Sequence, residues 1–186
     1  MIYTEVTKKA LKLCFEAHKD QKDKSGIPYV FHPFHLAEQM TDELSTVCAL
    51  LHDVVEDAGV SMEEIEAKFG RRVRELVASE TEDKRADLPP SDTWRIRKEE
   101  SLEKLRATND IEVLMLWIGD KLSNIRAIYR DFLTEGDAVW DKFHQSDINV
   151  QAWYYRSIMK YTERLSDTLA WIEYKTLVEK IFGAEE

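Results

Sequence analysis

Four titratable residues stand within six positions at His52-Asp53-Val54-Val55-Glu56-Asp57, directly after the apolar run Val47-Cys48-Ala49-Leu50-Leu51. Ser45 is the expected N-cap of a helix that starts there and carries on through the acidic cluster. On such a helix His52 and Glu56 share one face, and Asp53 and Asp57 share the adjoining one. Three carboxylates and an imidazole are costly to bury together unless a cation neutralises them. The plain alternative is a solvated acidic helix end. Helix C-termini favour cations, however, and Leu50 and Leu51 argue for burial. The pattern therefore points to a site.

Two further residues extend it. His32, before Pro33, and Asp120, at the end of the apolar run Ile111–Ile118, join His52 and Asp53 in a mixed nitrogen and oxygen set. Such a set suits a divalent transition ion, with manganese, iron, cobalt, nickel and zinc all acceptable. An ion held by these four side chains keeps positions for water and a phosphate oxygen, lowers the pKa of that water and offsets charge building on phosphorus. Glu56, one turn past His52, is the candidate to orient or deprotonate the water, with Asp57 assisting. His18, His35 and His144 are expected to be structural or exposed.

The elements that must position these groups read as helical almost throughout. Four prolines and six glycines fall mostly between periodic segments, and no stretch alternates as a strand does. Expected helices span about 4–20, 33–44, 45–57, 62–69, 71–79, 93–107, 111–126, 138–144 and 149–182. Ile27 and His32 precede prolines and are expected outside helices. Asp110 should cap the 111–126 helix, whose nearly all-round apolar start marks it as central. Asp120 and Asn124 lie four apart there and face the same way. The charged 81–92 segment with Pro89-Pro90 is the longest expected loop, of a length that often serves as a lid. The aromatic start of the last helix, Trp153-Tyr154-Tyr155, reads chiefly as packing, with Tyr154 kept as a candidate ligand contact.

At 186 residues one domain is expected, large enough for a core without disulfides. A net charge of −10 argues against nucleic-acid or membrane-surface binding. No apolar run approaches membrane length and no signal segment leads the chain, so the expected location is cytoplasmic. Cys14 and Cys48 sit on apolar helix faces, where a thiol is usually a small buried hydrophobe.

In order along the chain stand His18-x-x-Gln21, Lys24-x-Gly26-x-Pro28-Tyr29, His32-Pro33, Ala49-Leu50-Leu51-His52-Asp53-Val54-Val55-Glu56-Asp57, Ile65-x-x-x-Phe69-Gly70 and Asp120-Lys121-Leu122-Ser123-Asn124-Ile125-Arg126. In these signatures the stretch from about 10 to 128 resembles the HD-domain metal-dependent phosphohydrolases. Among them it is most similar to the hydrolase domain of RelA/SpoT homologues, which degrade the alarmone (p)ppGpp in the stringent response. The resemblance implies an all-α, single-domain HD helical bundle over 1–186. It also implies Mn²⁺ on His32, His52, Asp53 and Asp120, with Glu56 and Asp57 handling the attacking water. Asn124 would hold the ribose or 3′-phosphate region and Lys24 would line the nucleotide pocket. The implied reaction splits the 3′-pyrophosphate from ppGpp, and the chain length suggests a small stand-alone hydrolase. Oligomeric state is left open.

One position departs from the family. Asp23 stands where an arginine often precedes Lys24, and a guanidinium there would stack well on a base. The carboxylate puts guanine recognition in question. It keeps open another nucleotide: an adenosine alarmone, NADPH or a deoxynucleotide. A non-catalytic alarmone-binding module is the third reading. Trp94, Arg95, Arg97 and Lys98 resemble a tryptophan-and-basic segment of small family members. With Lys84, Arg85 and Lys121 they supply positive charge for a polyphosphate. Arg97 and Lys121 are the substrate contacts expected from this group.

Overall fold

The computed structural model describes residues 1–85 and 87–184, and the fold is all-α. Among these residues the extended pairing is one isolated antiparallel bridge, Lys22 to Pro28. Ala86, inside the segment expected as a loop, lies outside the described residues. Among the described residues no helix is long and apolar enough to cross a membrane. The chain forms two compact units, Met1–Asp83 and Lys84–Glu186.

The first unit holds α1 (Glu5–His18), α2 (Phe31–Glu38), α3 (Glu43–Leu51), α4 (Val54–Ala58), α5 (Met62–Phe69) and α6 (Arg71–Glu80). Its centre is α3, buried from Thr46 to Leu51 and packed on α1, α2 and α6. Continuous burial explains why its sequence is apolar without a helical stripe. Side chains fix the helix starts. Thr4 and Thr7 cap α1 reciprocally, and the Ser61 hydroxyl accepts the Glu64 N–H. Asp42, not Ser45, is the N-cap of α3, its carboxylate accepting the Ser45 N–H at 2.8 Å.

Two expectations fail here for local reasons. His32 lies inside α2, which starts at Phe31 and ends at Glu38; Pro33 stays within the first turn, where its missing N–H has no intrahelical partner to lose. The central helix does not run through the motif either. It ends at Leu51, turns at His52-Asp53 and resumes as the single turn α4, closed by Gly59 in the left-handed region at φ 72°. The i,i+4 face predicted for His52 and Glu56 is therefore broken by a corner.

The second unit holds α7 (Pro90–Ala107), α8 (Ile111–Glu135), α9 (Ile148–Tyr161) and α10 (Leu169–Phe182), with 3₁₀ turns at Gly136–Lys142 and Glu163–Leu165. Asp110 caps α8 through the Glu112 N–H at 3.1 Å, as expected. α8 then runs 25 residues, well past the expected end. It packs on α10, while α7 packs on α9. The expected 149–182 helix is two helices. The Thr162 hydroxyl caps back to the Ile158 carbonyl at 2.7 Å, and Thr168 opens α10 by accepting the Trp171 N–H at 3.3 Å. Short polar side chains that bond their own backbone compete with helix continuation, and two of them suffice to bend this one.

Arg126 on α8 donates to both oxygens of Glu173 on α10, at 2.6 and 2.5 Å. These bonds hold the Glu173 carboxyl below its usual range. A depressed folded pKa means stability that is present above the unfolded value of about 4.3 and lost as pH falls through the folded one. Both side chains are about two-fifths exposed, so the pair contributes no more than about 1 kcal/mol. Urea midpoints of the wild type and Glu173→Gln should accordingly differ slightly at pH 7 and converge on acidification below pH 4.

Candidate metal centre and active site

His52 closes α3 with its side chain buried, and its Nδ1 lies 2.8 Å from the Ala49 carbonyl. A carbonyl only accepts, so Nδ1 carries the hydrogen and Nε2 presents its lone pair. That lone pair faces His32 Nε2 at 3.2 Å and Asp53 Oδ2 at 2.9 Å, and His32 Nε2 stands 3.8 Å from the same oxygen. The three donor atoms lie within 4.8 Å of one another. α2 brings His32, the end of α3 brings His52, and the corner before α4 brings Asp53. Two imidazole nitrogens and a carboxylate oxygen aimed at one point suit a divalent ion. A backbone carbonyl that fixes the ring tautomer is the usual support for a metal-binding histidine.

The corner makes this convergence possible. On a continuous helix, Asp53 would project about 100° away from His52. Two contacts hold Asp53 where it is: the Tyr29 hydroxyl donates to Oδ2, and the Asp53 carbonyl accepts the Asp57 N–H at 2.8 Å. Tyr29 comes from the connector between α1 and α2. Its ring packs against His18 at 5.1 Å and His32 at 5.5 Å.

Glu56 and Asp57 occupy the half-buried turn α4. The Glu56 carboxylate accepts the backbone N–H of Glu82, just past α6, at 3.0 Å. This ties the candidate water-handling group to the start of the 81–89 segment. Cys14 on α1 is within electrostatic reach of His52 and Asp53. Burial pushes its thiol up to about 12, His52 opposes that and Asp53 adds to it, so the sulfur stays protonated.

Asp23 has a clear local role. Its Oδ1 accepts the N–H groups of Ser25 at 2.9 Å and Ile27 at 2.8 Å, folding the connector into a tight turn with Gly26 at φ 83°. Arginine cannot accept those bonds, so the substitution that questions guanine recognition also gives this loop its shape. Lys24 sits exposed at the tip.

In the second unit Asp120 is buried on α8. Asn124 Nδ2 donates to its Oδ1 at 3.0 Å and Lys121 Nζ to its Oδ2, so all three predicted residues form one cluster. Arg97 donates to the Thr93 hydroxyl at 3.3 Å. Tyr154 is 4% exposed within an aromatic group with Trp94 and Tyr155, beneath the Lys98 ammonium at 5.1 Å. Arg95 stacks over Trp153 at 3.5 Å. The distances place His32, His52 and Asp53 together in one unit and Asp120, Lys121 and Asn124 together in the other.

Sequence reasoning assigned no role to Tyr29, Gln21 or the Glu82 amide. Tyr29 and Gln21 stand inside the quoted signatures, which was the available signal. A backbone N–H brought up by a loop leaves no mark in sequence.

Comparison with known proteins bears on the same residues. A family model described as HD domain matches residues 10–145. A guanosine-3′,5′-bis(diphosphate) 3′-pyrophosphohydrolase of Aquifex aeolicus is 32% identical over 131 residues, covering 68% of this chain and 18% of that protein. The chain spans less than a fifth of the length of the curated relatives it matches. A crystal structure of lmo0812 from Listeria monocytogenes EGD-e aligns with TM-score 0.70 at 32% identity, over 82% of this chain and 99% of that one. A metazoan ortholog of SpoT that hydrolyses ppGpp aligns with TM-score 0.76 over 99% of both chains at 21% identity, a likeness of fold. With its signatures inside a match that runs from Ala10 to Gln145, the chain belongs to the HD-domain family.

Proposed function

We propose that the protein is a metal-dependent phosphohydrolase, acting as a (p)ppGpp 3′-pyrophosphohydrolase. The observation that carries this reading is the convergence of His32 Nε2, His52 Nε2 and Asp53 Oδ2 within 4.8 Å, followed one turn later by Glu56 and Asp57. Asp120 is the fourth ligand and Mn²⁺ the ion on this reading. A bound divalent ion supplies Lewis acidity toward a phosphoryl oxygen and a more acidic water. Glu56 takes the proton of the attacking water and Asp57 holds it in line. The water oxygen joins the phosphorus on the ribose 3′-oxygen, the bond from phosphorus to that oxygen breaks, and the 3′-oxygen leaves with a proton. Products are GDP or GTP and pyrophosphate. Asn124 and Lys121 meet the ribose and phosphates, with Lys24, Arg97 and Tyr154 as further substrate contacts. The 1–186 chain acts as one catalytic domain in the cytoplasm.

The substrate assignment follows the activity of the Aquifex relative and the shared signatures. Asp23, locked into its own turn, favours one competing reading, a phosphohydrolase of a different nucleotide. The protein incubated with Mn²⁺ and separate solutions of ppGpp, pppGpp, an adenosine alarmone, NADPH and deoxynucleotides should release pyrophosphate rapidly from the guanosine tetra- and pentaphosphates. Faster turnover of NADPH or a deoxynucleotide would replace the substrate and keep the chemistry. Metal binding with no turnover of any of them would leave a binding module.

A further inference from the structure

His18 and Gln21 belong to the sequence signature, yet the reaction above uses neither. His18 is wholly buried at the end of α1, one of the few buried polar residues of the first unit. Its Nδ1 lies 2.7 Å from Gln21 Oε1, and Gln21 Nε2 lies 2.6 Å from the Asp57 carbonyl. The polarity of this chain is forced from its far end. The carbonyl only accepts, so Gln21 presents its amide NH₂ there and its oxygen to His18, and His18 Nδ1 must carry the hydrogen. His18 Nε2 is then the bare nitrogen. It has no hydrogen-bond partner among the described residues, which a lone pair tolerates better than an N–H does.

The chain ends at a place that needs support. α4 is one turn of helix, too short to hold itself, and its last carbonyls lack intrahelical N–H donors. The Val54 carbonyl is satisfied by Gly59 and Val60 N–H groups. The Asp57 carbonyl is satisfied by Gln21. The same connector grips the other end of the corner through Tyr29, whose hydroxyl donates to Asp53 and whose N–H donates to the Gln21 carbonyl at 2.9 Å.

We propose that His18 and Gln21 are positioning residues: together they clamp the Asp57 carbonyl, and so fix the single helical turn that carries Glu56 and Asp57 relative to the histidine ligands. This rests on the hydrolase reading for its effect on turnover, and on the hydrogen-bond geometry alone for its effect on α4. The clamp touches no ligand side chain, so its loss moves the water-handling pair and leaves the ion bound.

The test uses the full chain with Gln21→Glu, His18→Leu and His18→Asn. Gln21→Glu keeps the acceptor for His18 and removes the donor to Asp57. His18→Asn keeps a donor near the Nδ1 position, which His18→Leu lacks. Four quantities are read: kcat and KM for ppGpp, Mn²⁺ stoichiometry by calorimetry, and amide hydrogen exchange of the 54–60 peptide. Gln21→Glu and His18→Leu should lose roughly 10- to 100-fold in kcat, the scale seen when the groups that orient a metal site are removed. KM and bound Mn²⁺ should be unchanged, exchange of 54–60 should rise, and His18→Asn should recover most of the rate. Unchanged kcat and exchange in Gln21→Glu, a half-buried site expected to tolerate the change, would overturn the proposal. So would His18→Asn behaving like His18→Leu. If the wild type hydrolyses no ppGpp, the substrate reading fails by itself, and exchange of 54–60 still decides whether the clamp exists.

Discussion

Asp53→Asn should strip the protein of its divalent ion and of its activity while leaving it folded. The Tyr29 hydroxyl donates to Oδ2 and can donate equally to an asparagine carbonyl, so the corner between α3 and α4 keeps its anchor. What disappears is the one negative charge among the three donor atoms grouped in the first unit. The metal supplies several kcal/mol of charge stabilisation, and at 1.36 kcal/mol per decade a loss of about 4 kcal/mol is roughly 10³-fold in rate. The metal-free protein should melt no lower than metal-free wild type, because the variant no longer holds a carboxylate against two imidazole lone pairs. Metal analysis, turnover and melting with and without chelator read all three. A variant that retains one Mn²⁺ per chain would refute the assignment of Asp53.

Glu56→Gln separates proton handling from metal binding. The glutamine oxygen still accepts the Glu82 N–H, so the tie between α4 and the 81–89 segment survives. Basicity does not. A positioned general base contributes about 10²- to 10⁴-fold, and turnover should fall by that factor with metal content intact. With Glu56 as the proposed base, the rate lost here should exceed that lost in Gln21→Glu, since one would remove the base and the other displace it. Equal activity in Glu56→Gln would show that another group takes the proton.

Much of this was legible in the residues. The all-α class followed from helical periodicity and from the lack of alternation. Asp110 as a cap and the buried character of Val47–Leu51, Val113–Leu114 and Leu116–Ile118 followed from side-chain chemistry that acts within a few positions. Helix ends were less legible. Asp42 outcompetes Ser45 as a cap because its carboxylate reaches the Ser45 N–H and hydroxyl together. The 149–182 segment breaks because Thr162 and Thr168 find backbone partners that a periodicity argument does not weigh.

The sequence by itself determined which residue types were available for metal and phosphate chemistry, and that each would sit on or beside a helix. Spacing is a one-dimensional record, and it suggested that His52 and Glu56 share a face. Only the tertiary structure decided that the helix turns a corner between them, which aims Asp53 and two imidazole nitrogens at one point. It also decided that a connector 24 residues upstream, through Tyr29, braces that corner, and that a carbonyl three residues back sets the His52 tautomer. The physical reason is that donor atoms must meet within a few ångströms. That is fixed by how α1, α2 and α3 pack, and helix packing is absent from any local pattern of residues.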